Sequence, residues 1–262
     1  MTEGPNTLRA LPAFPAGGVC LNMIVKDEAK VIERCLRSVL PHINSWCIVD
    51  TGSSDRTKEI IVKTLAGLPG ALYERPWVDF ATNRNEAWGL ALQHHRPESL
   101  MFIDADEELE IDGLIPRPMR QDAYLIDVAY QNRMDPRFWM VRSDYPNRWL
   151  GIVHEDIEAH GSIAKMTQAI IISHEDGARS EDRSKKLNGD LRLLLEALTT
   201  NPKDSRSWYY LGATYAAARD FEQARRALGI RAQMGGDPRE VARAIEFLDQ
   251  TEPSTIQAGG AA

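Results

Sequence analysis

The sequence predicts an α/β protein in which a mixed sheet flanked by helices is followed by a small all-α module. Three observations predict it. Short apolar runs alternate with stretches of helical spacing up to Ile103, shorter strand-like runs crowd the stretch from 114 to 175, and after Gly177 only helical spacing remains. Strands alternating with helices imply right-handed crossovers and a parallel core sheet, at whose carboxyl edge ligands bind. The boundaries that follow are a disordered leader over 1–17, the sheet domain over 18–177, the helical module over 178–250 and a disordered tail over 251–262.

The first strand is Val19 to Val25, an apolar run between Gly17-Gly18 and Lys26-Asp27-Glu28 that reads as buried on both faces. From Glu28 to Leu40, apolar Val31, Ile32, Cys35, Leu36 and Val39 recur at helical spacing until Pro41. Trp46 to Val49 is the second strand, the turn from Asp50 to Asp55 follows it, and Ile60, Ile61 and Leu65 mark the next helix. Ala71 to Glu74 is a third strand, Asn83 to Leu92 a helix, and Leu100 to Ile103 a fourth strand that stops at acidic residues. Tyr124 to Val128, Phe138 to Val141 and Ala169 to Ile172 are added, partly antiparallel strands that close the crevice. Beyond Gly177, a leucine stripe from Leu187 to Leu198 makes a helix that Asn201-Pro202 ends. The run Trp208 to Tyr215 then matches the W-x2-L-G-x2-Y opening of a tetratricopeptide repeat, with small Gly212 and Ala224 allowing two helices to approach. Fewer than three such units fit, so the module is expected to dock on the sheet domain or to form a homodimer.

Composition narrows the function. Of 262 residues, 43% are hydrophobic and 26% charged, which excludes a fibrous or wholly disordered chain. A net charge of −7 argues against a nucleic-acid partner held by broad positive potential, so phosphates would need a metal or a focused basic site. No apolar stretch reaches the roughly 18 residues that cross a bilayer, and the start lacks the layout of a signal peptide; the expectation is a cytoplasmic chain with at most peripheral membrane contact. Cys20, Cys35 and Cys47 are odd in number and without a C-x-x-C pair, and are read as small buried hydrophobes.

The chemistry concentrates at two strand ends. Asp104-Ala105-Asp106 follows a buried strand, so both carboxylates sit at an extended tip where hard oxygen ligands suit Mg²⁺ or Mn²⁺ and a diphosphate. A lone D-x-D is a weak signal, and its position after the strand is what strengthens it. Asp50 stands at a strand end before Gly52 and can accept hydrogen bonds from a nucleobase or ribose, while Ser54 or Asp55 serves as a helix cap. Arg84 and Asn85 begin a helix whose N-terminal end favours anions, where an arginine clamps a phosphate or a nucleobase or is simply solvated. Arg148 and Trp149 either face an acceptor or pack as a tryptophan under an arginine. His94 and His95 end a helix, where dipole complementarity explains them.

Together, Met23 to Glu28, Val49 to Thr57, Arg84-Asn85 and Phe102 to Glu107 resemble glycosyltransferase family 2 of the GT-A fold, a Rossmann-like mixed sheet. More narrowly they resemble its bacterial branch with C-terminal tetratricopeptide helices, over about residues 19 to 250. The resemblance implies Glu28 and Asp50 around the nucleoside, Asp104 near ribose and metal, and Asp106 as the main metal ligand. It implies that His154-Glu155-Asp156 is the acceptor-side motif, with Glu155 preferred as general base and Asp156 second, and that His174 completes the metal coordination. His154 has the alternative of merely orienting a loop, and His174 that of a strand-end histidine bonded to backbone.

The expected activity is therefore metal-dependent, inverting transfer of a hexose from a nucleoside diphosphate sugar, of the UDP type, to a glycan, lipid-linked or peptide acceptor. Two competitors stand beside it. A nucleotidyltransferase would carry a glycine-rich basic loop where Lys26-Asp27-Glu28 stands. A catalytically inactive scaffold would use the helices to bind a partner and show no metal-dependent nucleotide binding.

Overall fold

The computed structural model describes residues 17–250 apart from 116, 145–147, 159 and 180–181. The expected leader, save Gly17, and the expected tail lie outside the described residues. Two compact units divide the chain: one runs to Leu150 and resumes over Glu155–Glu181, and the other joins Gly151–His154 to the chain from Asp182 onward.

In the first unit, β1 (Val19–Val25), α1 (Ile32–Val39), β2 (Ser45–Asp50), α2 (Thr57–Thr64), β3 (Gly70–Glu74), α3 (Phe80–His94) and β4 (Ser99–Met101) alternate as the periodicity predicts. β5 (Glu107–Ile111), β6 (Ala123–Ala129), β7 (Met134–Arg142), β8 (Arg148–Leu150), β9 (Asp156–Glu158) and β10 (Ile163–Ser173) follow. Eight strands form one sheet in the order β3-β2-β1-β4-β7-β6-β10-β5, and β8 and β9 pair separately. The four N-terminal strands are parallel, whereas β7 is antiparallel to both β4 and β6, and β5 to β10. Burial on both faces makes β1 and β2 nearly continuous apolar runs. Asn22, the polar residue inside β1, is satisfied: its Nδ2 donates to the carbonyls of Cys47 at 3.2 Å and Ala87 at 2.9 Å, tying β1 to β2 and α3. The three cysteines are free and buried, as their apolar surroundings predict.

Among the boundaries that differ from the sequence reading, two do so for clear local reasons. α1 starts at Ile32 rather than Glu28 because side chains of the turn after β2 take the preceding amides. Asp27 N donates to Ser53 Oγ (2.9 Å), Glu28 N to Thr57 Oγ1 (2.7 Å) and Ala29 N to Asp55 Oδ2 (3.0 Å). α3 starts three residues ahead of its apolar pattern because Asp79 caps it, its Oδ1 accepting from Thr82 N at 2.7 Å.

The second unit is helical: α4 (Arg183–Thr200), α5 (Ser205–Ala217), α6 (Phe221–Gln233) and α7 (Pro238–Gln250). Asp182, Asp204 and Asp220 each accept a backbone N–H at the start of a helix. Gly212 packs against the Leu228 side chain and the Ala224 carbonyl, so the absence of a Cβ is what lets α5 and α6 close on one another. No helix among the described residues is long and apolar enough to cross a membrane.

Candidate active site

The sheet order sets β2, β1 and β4 side by side and parallel, so the residues that leave their carboxyl ends share one edge. Asp50 ends β2, Glu28 follows β1 and Asp104 follows β4. Asp50 is fully buried, and its Oδ1 accepts from Gly52 N (3.0 Å) and Ser53 N (2.9 Å). Gly52 holds φ +107°, a conformation that side chains rarely adopt, and this is what wraps the turn around the carboxylate. Asp50 Oδ2 is buried with no hydrogen-bond partner among the described residues. A buried acceptor without a donor is costly, and it is a place where an N–H or O–H of a ligand would gain most.

Glu28 and Asp106 come together around Gly177. A Cβ on Gly177 would lie 3.1 Å from Glu28 Oε2 and 3.1 Å from the Asp106 Cβ, so glycine is what admits both acids. Glu28 Oε2 accepts from Ala178 N at 3.0 Å. Burial, then the charges of Asp106, Asp104 and Asp55, push the Glu28 carboxyl up to about 7 against that one favourable amide. Burial and Asp104 likewise raise Asp106. Two crowded, partly desolvated carboxylates fit a hard divalent cation, which commonly uses one or two protein carboxylates and completes its shell with substrate phosphate. Among the described residues no three His, Cys, Asp or Glu side chains form a ready-made metal cluster. His174 donates its backbone N–H to the Asp106 carbonyl (3.1 Å), while its Nε2 lies 3.1 Å from Glu108 Oε2. Asp27, Glu28, Lys30, Asp55 and Asp176 line a cavity of about 220 Å³ beside the pair.

A carboxyl raised above its unfolded value stabilises the fold only while it is protonated, and that contribution disappears as pH rises from about 4.5 through about 7. Glu28→Gln is therefore expected to melt like the parent at pH 4.5 and to be more stable by about 1–2 kcal/mol at pH 8. Thermal melts across that range in chelator check it, and an identical difference at both ends would contradict the assignment.

Arg84 organises the other half of the edge. Its Nε donates to Glu155 Oε1 at 2.6 Å and its NH2 to Asp104 Oδ1 at 2.6 Å, while the guanidinium lies 4.8 Å from the Trp149 ring centroid. Arg84 was expected as an anion clamp, and in this structure two carboxylates occupy it. Arg137 donates to Asp104 Oδ2 at 3.2 Å and makes a double ion pair with buried Glu107. Burial would raise the Asp104 carboxyl, but Arg84 and Arg137 outweigh it and hold it down to about 2. Asn85 fixes β8 by exchanging two hydrogen bonds with the Trp149 backbone, at 2.9 and 2.8 Å. Trp149 is buried edge-on against Phe102, so it packs under an arginine, although that arginine is Arg84; Arg148 instead pairs with Glu158.

Glu155 and Asp156 sit in different surroundings. Glu155 is 12% exposed at its side chain and bonded to Arg84, whereas Asp156 is exposed and its Oδ1 accepts its neighbour's amide, Ile157 N, at 2.8 Å. The sequence reading missed Arg137 and the inward role of Glu107. The available signals were an arginine inside an apolar strand and the strict alternation of Glu107, Leu109 and Ile111.

Comparison with known proteins gives the family and the fold. The model of glycosyl transferase family 2 matches residues 20–168, and a tetratricopeptide repeat model matches residues 193–226. A tetratricopeptide repeat-containing protein of Synechococcus elongatus is 38% identical over 96 residues, which cover 36% of this chain and 22% of that relative. Residues 1–349 of TarS from S. aureus, solved with UDP-GlcNAc, superpose with a TM-score of 0.52 at 12% identity, over 89% of this chain and 88% of that one. The same protein with UDP gives 0.51 at 14% identity, over 87% and 83%. At these identities the likeness is one of fold, and the fold is of the GT-A kind with a helical module after it.

Proposed function

The chain belongs to glycosyl transferase family 2, and we propose that it moves a hexose from a UDP-sugar to a hydroxyl acceptor with inversion at the anomeric carbon. One observation carries this reading: Arg84 joins Asp104, at the donor-side strand end, to Glu155, which follows the acceptor-side segment. The unmatched Oδ2 of Asp50 supports a nucleoside donor, since it lacks the kind of N–H that a uracil ring supplies. That TarS binds UDP and UDP-GlcNAc on the same fold is consistent with a UDP donor.

In this proposal Glu155, held through Oε1, takes the acceptor hydroxyl proton on its other oxygen. The acceptor oxygen forms its bond to the anomeric carbon as the bond from that carbon to the diphosphate oxygen breaks, and the diphosphate leaves with the electron pair. Attack from the face opposite the leaving group inverts the configuration. Asp106 and Asp104, with His174, would hold Mn²⁺ or Mg²⁺. Bound there, the cation would offset charge growing on the diphosphate. Arg84 keeps Glu155 aimed, and buried Trp149 keeps water from the back of that pair.

The test is a panel of nucleotide sugars with Mn²⁺, Mg²⁺ or chelator, scored for nucleotide release and for product anomer by NMR. Cation-dependent UDP release with an inverted product is the expected result. Absence of both turnover and donor-dependent thermal protection, with every donor, would overturn it.

A further inference from the structure

We propose that Asn85 is a positioning residue for the base: it fixes the backbone from which Glu155 projects, while its neighbour Arg84 fixes the carboxylate. The inference rests on the assignment of Glu155 above, and every residue in it belongs to the sheet unit. The Asn85 side chain bonds twice to one residue of β8, its Nδ2 donating to the Trp149 carbonyl at 2.9 Å and its Oδ1 accepting from Trp149 N at 2.8 Å. An amide offers a donor and an acceptor side by side, which is what this double bond needs. The N–H and C=O of a strand residue point to the same side, so Asn85 serves one edge of β8 as a neighbouring strand would. β9 takes the other edge, with Trp149 opposite Ile157 and Leu150 opposite Asp156.

Glu155 leads into β9, and its carbonyl carbon shares a rigid peptide plane with Asp156 N. The register of β9 on β8 therefore sets where the Glu155 Cα lies and in which direction its side chain leaves. Trp149 keeps that register from sliding, because its buried ring stands edge-on against Phe102, 5.0 Å between centroids, beneath the Arg84 guanidinium at 4.8 Å. Arg84 then takes Glu155 Oε1 at 2.6 Å. Consecutive residues of α3 thus hold one carboxylate by two routes, one through a strand pair and one through an ion pair. The ion pair alone fixes one oxygen and leaves the group free to pivot about it. With the Cα fixed as well, the other oxygen keeps one direction in which to meet an acceptor hydroxyl.

The experiment compares Asn85→Ala and Asn85→Asp, in the full chain, with Asn83→Ala. Asn85→Asp keeps the shape but sets an oxygen against the Trp149 carbonyl in place of the donor. Asn83 gives the matched control: buried on the same helix, its side chain exchanges the same two kinds of bond, with Val78 N at 2.9 Å and the Pro76 carbonyl at 3.0 Å. Amide hydrogen exchange of β8 and β9, read by mass spectrometry, reports the hold on the strand pair. UDP release from UDP-glucose and UDP-N-acetylglucosamine with Mn²⁺, and with water as acceptor, gives kcat and KM. Both Asn85 variants are expected to exchange faster in β8 and β9 and to lose about tenfold in kcat with donor KM within about twofold, as small misplacement of a reacting group does. Asn83→Ala is expected to lower thermal stability while β8–β9 exchange and kcat stay within about twofold of the parent, since it touches neither strand. In the Glu155→Gln background, Asn85→Ala should cost less than about twofold more, because a residue that acts through the base has nothing left to position. Unchanged exchange in Asn85→Ala, parent-like kcat in Asn85→Asp, an equal loss in Asn83→Ala, or an undiminished loss in the Glu155→Gln background would overturn the inference while the base assignment stands. If the parent itself releases no UDP from either sugar, the base assignment has failed and the positioning role falls with it.

Discussion

Glu155→Gln is expected to lower turnover by about 10²–10⁴-fold while donor KM stays within about threefold. The amide is nearly isosteric, and its oxygen can still accept from Arg84 Nε, so the packing over Trp149 survives and the capacity to take a proton does not. Because the loss falls on proton removal from the acceptor, binding of the donor is spared. Asp156→Asn is the contrasting variant: its carboxylate is exposed and engaged with its neighbouring amide, and a change below about threefold is expected from so solvated a group. Initial rates of UDP release on the donor that turns over fastest check both. A large loss in Asp156→Asn with Glu155→Gln near the parent would exchange the two roles and dismantle the Arg84 bridge as the organising feature.

How much of this was legible beforehand follows from what each residue type advertises. β1 is read correctly to the residue because a strand buried on both faces has no reason to break its apolar run. The GT-A order is equally open, since parallel strands must be separated by crossover helices whose period differs from their own. The site was legible only in one dimension. Asp50, Glu28 and Asp104 announce themselves by following strands, and the sheet order then brings them to one edge. Arg84 announces a charge without announcing its partners, because ion pairs spanning 20 and 71 residues have no sequence period. β5 hides for the opposite reason: its inward Glu107 looks like part of a solvated acidic run, and Arg137 arriving from β7, with the Asp104 amide donating to Glu107 Oε2 at 2.9 Å, makes that burial tolerable. The start of α1 was misread because side chains of a turn some 25 residues away claim its amides.

Arg84→Ala is expected to destabilise the sheet unit by about 3–5 kcal/mol, a cost typical of removing one partner from a buried ion pair. Asp104 would keep Arg137, but Glu155 would stay largely buried without its cationic partner and Trp149 would lose the guanidinium over its ring. Arg84→Lys should fall between, because an ammonium is a compact point charge and cannot span two carboxylates as the planar fork does. The decisive arm is the double variant Arg84→Ala with Glu155→Gln. If the bridge stabilises chiefly by compensating the Glu155 charge, removing that charge recovers about 1–3 kcal/mol of the single-variant loss. Urea unfolding followed by tryptophan fluorescence reads the sheet unit, since of six tryptophans only Trp208 lies outside it. Strict additivity of the two substitutions would mean that Arg84 and Glu155 are neighbours without coupling. The Glu155 carboxylate would then owe its position to the backbone alone.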